Sequence, residues 1–104
     1  MPRALAIVIA LTTAAHGDRD LCAPGAHRHG APIDLDVKSA DVRDVLRLLA
    51  DVARANLVIG DGVDGKVTLR LARVPWDAAM CTLAAVQHLV VTVQDNILLV
   101  TKAR

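Results

Sequence analysis

Two cysteines and two nearby histidines are the side chains best suited to metal or redox chemistry in this chain. Cys22, His27 and His29 are of types that ligate transition metals, and His16 or Cys81 could complete such a set. Their spacing matches no standard metal site, so a metal-binding protein stays an alternative and we predict neither a metal nor another cofactor. The cysteines do not form a C-x-x-C pair, which excludes a thioredoxin-like site.

The remaining polar residues form no catalytic constellation. Ser39 is the only serine, and no nucleophile motif surrounds it. Asp61, Gly62 and Asp64 lack the later glutamate of a calcium loop, so they predict a turn. A general base needs a positioned partner in a cleft, whereas the carboxylates here alternate on exposed strand faces or fall in turns. We therefore predict that the chain is not an enzyme.

The composition indicates one small folded domain. The chain has 104 residues, of which 54% are hydrophobic and 22% charged, with a net charge of +1. Disordered chains combine low hydrophobicity with high net charge, which is the opposite pattern. Nucleic-acid binders carry a basic excess and stacking aromatic residues, and Trp76 is the only aromatic residue here. We expect an aliphatic core, no nucleic-acid partner and no small-molecule substrate.

A repeated pattern of apolar residues organises the folded region. A shift of 34 residues places Ile33 on Val67 and superposes strand, helix and strand patterns. The predicted elements are a strand over 33–37, a helix over 41–55, a strand over 57–59, a strand over 66–71, a helix from Pro75, and a hairpin of 89–93 and 97–100. The predicted fold is α+β, in the order β-α-β-β-α-β-β, with two helices packed on small sheets.

Several residues have predicted local roles in this fold. Ser39 or Asp41 can cap the first helix, and Asn56 suits its exit because asparagine tolerates a left-handed conformation. His88 suits the end of the second helix, where a cation complements the helix dipole. Trp76 is predicted to anchor the core, with a role at an interface as the alternative. The predicted centre of the core consists of Leu46, Leu49, Met80 and Leu83.

The first residues predict export. Residues 1–17 combine a positive start, a short apolar run and small residues at the end, which is the layout of a signal peptide, with a buried first helix as the alternative. Residues 18–32 are rich in glycine, proline, histidine and charge, and predict a flexible leader. The folded domain then covers residues 33–102.

Export places the cysteines in an oxidising compartment. Cys22 lies in the leader and Cys81 on the flank of the second helix, and a leader of this length can reach most of the surface of so small a domain. We therefore predict a Cys22–Cys81 disulfide that lays the leader across the second helix. Two unrelated thiols are the alternative.

Five linked segments resemble a known family. In order, they are IDLDV at 33–37, DVRDVLRLLA at 41–50, NLVI at 56–59, GKVTLRL at 65–71 and VPWDAA at 74–79. Together they resemble the short N-terminal domain of secretins and TonB-dependent transducers, in the version found in type IV pilus secretins. The resemblance implies a periplasmic protein–protein interaction module, linked to type IV pilus or type II secretion machinery and to protein transport, and associated with the outer membrane. A signalling module that binds an anti-sigma regulator is the alternative.

The end of the sequence at Arg104 leaves no room for ring modules or a pore, so we expect either a free-standing domain or a truncated relative. Small sheets leave unpaired edges that a partner strand can join, and a helix face can add contacts. The predicted edge-strand residues are Ile33, Leu35, Val37, Ile97 and Leu99. The sequence leaves open the partner and whether the chain forms a homo-oligomer.

Overall fold

A computed structural model of the chain describes residues 19–23 and 30–103. The elements are β1 (Arg19–Asp20), β2 (Pro32–Asp41), α1 (Val42–Ala53), β3 (Asn56–Ile59), β4 (Lys66–Pro75), α2 (Trp76–Gln87), β5 (Leu89–Gln94) and β6 (Ile97–Lys102). The predicted α+β class and the order of the main elements are confirmed, and β1 is an addition. The predicted signal peptide lies outside the described residues.

The strands form two sheets on either side of the helices. One sheet has four strands in the order β1-β5-β6-β3, and the other pairs β2 with β4. Among the described strands, β3 and β6 run parallel and the other pairs run antiparallel. The helices contact each other, and each helix also contacts both sheets. α1 contacts β2 and β3, and α2 contacts β4 and β5. This arrangement buries the inner faces of the helices and of both sheets together.

The core is aliphatic, as the composition predicts. Leu46, Leu49, Met80 and Leu83 are each 0% exposed and meet between the sheets. Strand alternation supplies the rest, since Val67 and Leu69 of β4 are buried while the intervening Thr68 is exposed. Full burial of such side chains provides most of the stabilisation of a small domain.

The two halves of the fold repeat at the offset found in the sequence. β4 and α2 each begin and end 34 residues after β2 and α1. In the β2–β4 pair, Asp36 lies opposite Arg70, which is its equivalent in the second half. An approximate twofold axis therefore passes between these residues and relates one strand–helix unit to the other.

Backbone details follow the same axis. Ser39 and Arg73 are equivalent positions, and both have a positive φ, 51° and 57°. The Ser39 N–H donates to Thr68 Oγ1 at 3.0 Å, and the Arg73 N–H donates to Asp34 Oδ1 at 2.8 Å. Each irregularity in one strand is thus held by a side chain of the other. Hydrogen bonds of this kind offset the strain of a left-handed conformation in a residue other than glycine.

The ends of α1 differ in part from the prediction. Asp41 is the N-cap, and its side chain accepts a hydrogen bond from the Arg43 N–H at 2.9 Å. The left-handed residue at the C-terminal end is Arg54, with φ 55°, so the assignment of Asn56 to the helix exit is wrong. Asn56 instead begins β3, because its N–H donates to the Asn96 carbonyl at 2.8 Å. His88 holds the equivalent left-handed position after α2.

Candidate interaction surface

The predicted edge at β2 is an edge in the structure. β2 pairs only with β4, so its other side is unpaired among the described residues. Leu35 points into the core at 6% exposure, while Ile33 and Val37 are half-buried at its margin. The backbone of β2, rather than the side chain of Leu35, is therefore what a partner strand could reach.

The predicted edge at β6 is wrong. β6 lies between β5 and β3, with Leu99 opposite Thr92 on one side and Val58 on the other. Ile97 likewise lies between Gln94 and Asn56. The hairpin pattern predicted the pairing of β6 with β5. The parallel pairing with β3 joins segments that are distant in sequence, so no local sequence pattern predicts it.

β3 is an edge that the sequence analysis missed, as are β4 and the short β1. It pairs only with β6 and has no second neighbour among the described residues. Val58, at its centre, is 49% exposed. The short apolar run at 57–59 predicted a buried strand, and this is wrong, because a strand with one neighbour leaves Val58 exposed.

The edges differ in how they are protected against other strands. β2 and β4 each contain a proline and several charged residues. Their pairing also has two register shifts, one between Ile33 and Leu35 and one between Val37 and Ala40. β1 is only two residues long, and both are charged. Short length, charge, proline and bulges all discourage edge-to-edge pairing. β3 is also short, with four residues, but it carries no charge, no proline and no register shift, so its exposed backbone lacks those three means of protection.

The leader segment is partly built into the fold. Arg19 and Asp20 pair with Val93 and Thr92 of β5, and the Leu21 N–H donates to the Val91 carbonyl at 3.0 Å. The expectation of a flexible leader therefore fails for this part of the segment. A two-residue strand has too few hydrogen bonds to hold by itself, so another link must position it.

That link is a disulfide between Cys22 and Cys81, whose Cα atoms are 5.4 Å apart. It ties the end of β1 to the flank of α2, across the edge of β5. Cys22 also donates its backbone N–H to Asp20 Oδ1 at 2.9 Å. A sulfur in a disulfide is not available as a thiolate ligand, which weighs against the metal-site hypothesis. His27 and His29 lie outside the described residues, and the described ranges contain no cluster of three potential ligands.

A cleft of about 280 Å³ opens between β1, the end of α1 and the β5–β6 turn. Its lining is mostly apolar and includes the charged residues Arg19, Arg54 and Asp95. Trp76 packs against the core, as predicted, and it also lines the cleft. A cleft of this size and polarity suits one apolar side chain of a partner.

The start of α2 is fixed by the segment before β2. The Trp76 N–H donates to the Ala31 carbonyl at 3.0 Å, and the buried Asp77 accepts hydrogen bonds through Oδ1 from the Gly30 and Ala78 N–H groups. A Cβ at Gly30 would overlap Cδ1 and Nε1 of the Trp76 indole. Glycine is therefore required at this point.

We predict that Gly30→Ala displaces the Trp76 ring and destabilises the fold by about 1–3 kcal/mol, the usual cost of overpacking. Trp76 is the only tryptophan, so its fluorescence emission should shift to longer wavelength as the ring meets water. Ala31→Ser, at an exposed neighbouring position, is the control and should leave the emission unchanged. Unchanged emission and stability in Gly30→Ala would contradict this packing.

Comparisons with known proteins agree in sequence and in fold. The chain is 42% identical over 74 residues to the fimbrial assembly protein PilQ of Pseudomonas aeruginosa, a match that covers 71% of this chain and 10% of that protein. It is 37% identical to the type IV competence pilus secretin PilQ of Vibrio cholerae, with a TM-score of 0.58 over 65% of this chain and 16% of that one. No protein-family model matches the chain.

The fold is also that of an isolated secretin domain. The N0 domain of the type II secretin from enterotoxigenic Escherichia coli superposes with a TM-score of 0.64, over 70% of this chain and 96% of that domain, at 20% identity. The chain spans about a tenth of the length of the Pseudomonas relative. Within the described residues, no helix has the length and apolar character needed to cross a membrane.

Proposed function

Because the chain resembles the N-terminal domains of type IV pilus secretins in sequence and fold, we propose that it is a non-catalytic interaction module of the cell envelope, associated with a type IV pilus or type II secretion machine. The observation that carries this proposal is the sequence match to a pilus secretin together with the fold of a secretin N0 domain. The match is confined to one region of the relatives, so their other activities are not assigned to this chain.

Recognition by strand addition fits the free edges. A partner strand that pairs with β2 gains main-chain hydrogen bonds, and alternate side chains supply specificity. β2 is ten residues long, which gives a partner more backbone to pair with than β1 or β3. Its bulges restrict which strand can fit, and this restriction favours a specific partner over general aggregation.

Helix faces add a second means of contact. Val86 on α2 is 56% exposed and Leu48 on α1 is 44% exposed, although both are large apolar side chains. Both helices pack on the β2–β4 sheet, so a partner strand that pairs with β2 can also contact an exposed apolar residue of a helix. In this proposal the strand fixes the orientation of the partner, and the helix contact contributes to affinity.

The proposed location is the periplasm, after removal of residues 1–17, and the proposed association with the outer membrane is through the partner complex. Three features support it: the signal-peptide pattern, the envelope relatives and the Cys22–Cys81 disulfide. Disulfides persist in the periplasm and are rare in the cytosol.

Affinity purification from the native envelope tests the proposed association. We expect a tagged full-length protein, extracted in mild detergent, to enrich components of the pilus or secretion machine over an untagged strain. Enrichment should weaken in Leu49→Ala, because truncation of this fully buried side chain destabilises the folded domain. Recovery of a folded protein with no envelope component would contradict the proposed function. Enrichment of an anti-sigma regulator instead would support the signalling alternative.

A further inference from the structure

We propose that β3 is a self-association edge, at which two copies of the chain pair antiparallel about a twofold axis through Val58. The juxtaposition that carries this inference is a strand edge without charge, proline or bulge, flanked by opposite charges at its two ends. The proposal goes beyond the envelope function and does not depend on it.

The backbone of β3 determines which groups are free. The Asn56 N–H donates to the Asn96 carbonyl and the Gly60 N–H donates to the Val100 carbonyl, each at 2.8 Å, so these residues point toward β6. Successive residues of a strand point in opposite directions. The N–H and C=O groups of Leu57 and Ile59 therefore point away from the sheet, toward the open edge.

These groups define one self-consistent register. If Leu57 lies opposite Ile59 of a second copy, each residue donates its N–H to the carbonyl of the other. The twofold axis then places Ile59 opposite Leu57 of the second copy, and this pair forms the same two hydrogen bonds. Val58 then faces Val58 of the second copy in a non-hydrogen-bonded pair, in which Cα atoms lie about 4.5 Å apart. The two Val58 side chains then contact each other across the axis, which removes part of their exposed surface from water.

The charges at the ends of β3 favour a second copy as the occupant. Arg54 precedes the strand and Asp61 follows it, and both are exposed. Within the described ranges the one ion pair joins Arg47 and Asp44, so neither residue is already paired there. Antiparallel pairing brings Arg54 of each copy beside Asp61 of the other, whereas parallel pairing would place like charges together.

The outward face of the sheet is compatible with this extension. The residues on that face of β3, β6 and β5 carry no charge and are Asn56, Val58, Ile97, Leu99, Thr101, Val90, Thr92 and Gln94. A continuous sheet through two copies therefore meets no like-charge repulsion at its centre.

Molar mass by sedimentation velocity and light scattering, over a concentration series of the mature disulfide-bonded protein, tests the proposal. We expect a reversible dimer for the unchanged protein and a monomer for Val58→Lys at the same concentrations, because two lysines would face each other on the axis. Val86→Lys makes the same change at a 56% exposed position on α2 and should leave the dimer intact. Circular dichroism confirms that each variant is folded.

Charge exchange tests the orientation. We expect Arg54→Asp and Asp61→Arg each to raise the dissociation constant of the dimer by about tenfold, a modest electrostatic effect. An equimolar mixture of the two variants should dimerise again, since the mixed pair carries opposite charges at both ends. A monomer at all concentrations up to about 1 mM, or a dimer that survives Val58→Lys, would overturn the proposal. If the chain is monomeric and β3 binds another protein's strand, the copy–copy pairing is likewise wrong.

Discussion

Leu49→Ala should destabilise the domain by about 2–5 kcal/mol, the range found when a buried leucine is truncated and the site collapses only in part. Leu49 is 0% exposed and belongs to the cluster between the two sheets. Domains of this size have a total stability of about 5–15 kcal/mol, so one such change removes a large part of it. Urea unfolding followed by circular dichroism measures the loss.

The matched control is Arg47→Ala on the same helix. Arg47 lies on the outer face of α1 and pairs with Asp44 at 3.3 Å, with the two side chains 65% and 71% exposed. Ion pairs this exposed contribute less than about 1 kcal/mol. If the two substitutions had equal effects on the urea midpoint, the assignment of the buried face of α1 would be wrong.

Loss of the Cys22–Cys81 bridge is the second large expected effect. The cysteines are 59 residues apart, and a cross-link closing a loop of this length restricts the unfolded chain by an amount on the order of 4 kcal/mol. We expect Cys22→Ser to lower the free energy of unfolding by a few kcal/mol. It should also release β1, which among the described residues pairs with β5 alone, and through two residue pairs.

Reduction separates this effect from the substitution itself. The comparison is with a variant in which both cysteines are replaced by serine. A thiol reductant should lower the unfolding midpoint of the unchanged protein to that of this variant. The midpoint of the variant itself should not change with the reductant. Amide hydrogen exchange at Leu21 should accelerate in parallel, because the hydrogen bond from its N–H to the Val91 carbonyl opens with β1. Equal midpoints with and without reductant would contradict a stabilising bridge.

The alternation of apolar residues was sufficient to predict the main elements and the core. Val67 and Leu69 alternate with exposed residues along β4, and Leu46 and Leu49 repeat at helical spacing along α1, so local periodicity specifies which face is buried. The 34-residue offset relates more than the apolar positions. Ser39 and Arg73, which are 34 residues apart, also share a left-handed backbone conformation.

What periodicity could not predict is the pairing between distant segments. β6 enters the sheet between β5 and β3, and a strand pattern is the same whether the strand lies at the centre or at the edge. β1 has no apolar alternation in Arg19 and Asp20, and its position follows from the disulfide and from Leu21. Which strands lie at an edge depends on this topology. The predicted edge position is therefore correct for β2 and wrong for Ile97 and Leu99 of β6.

Site-specific photo-crosslinking in intact cells tests most directly whether the chain recognises an envelope partner through a strand edge. A photoreactive residue replaces Asp36, which is exposed in the middle of β2, and the control replaces Asp51, which is exposed on α1. We predict crosslinks from position 36 to a component of the pilus or secretion machine, identified by mass spectrometry, and few or none from position 51. Crosslinks of equal yield from both positions, or none from β2 in cells that assemble the machine, would contradict recognition through this edge.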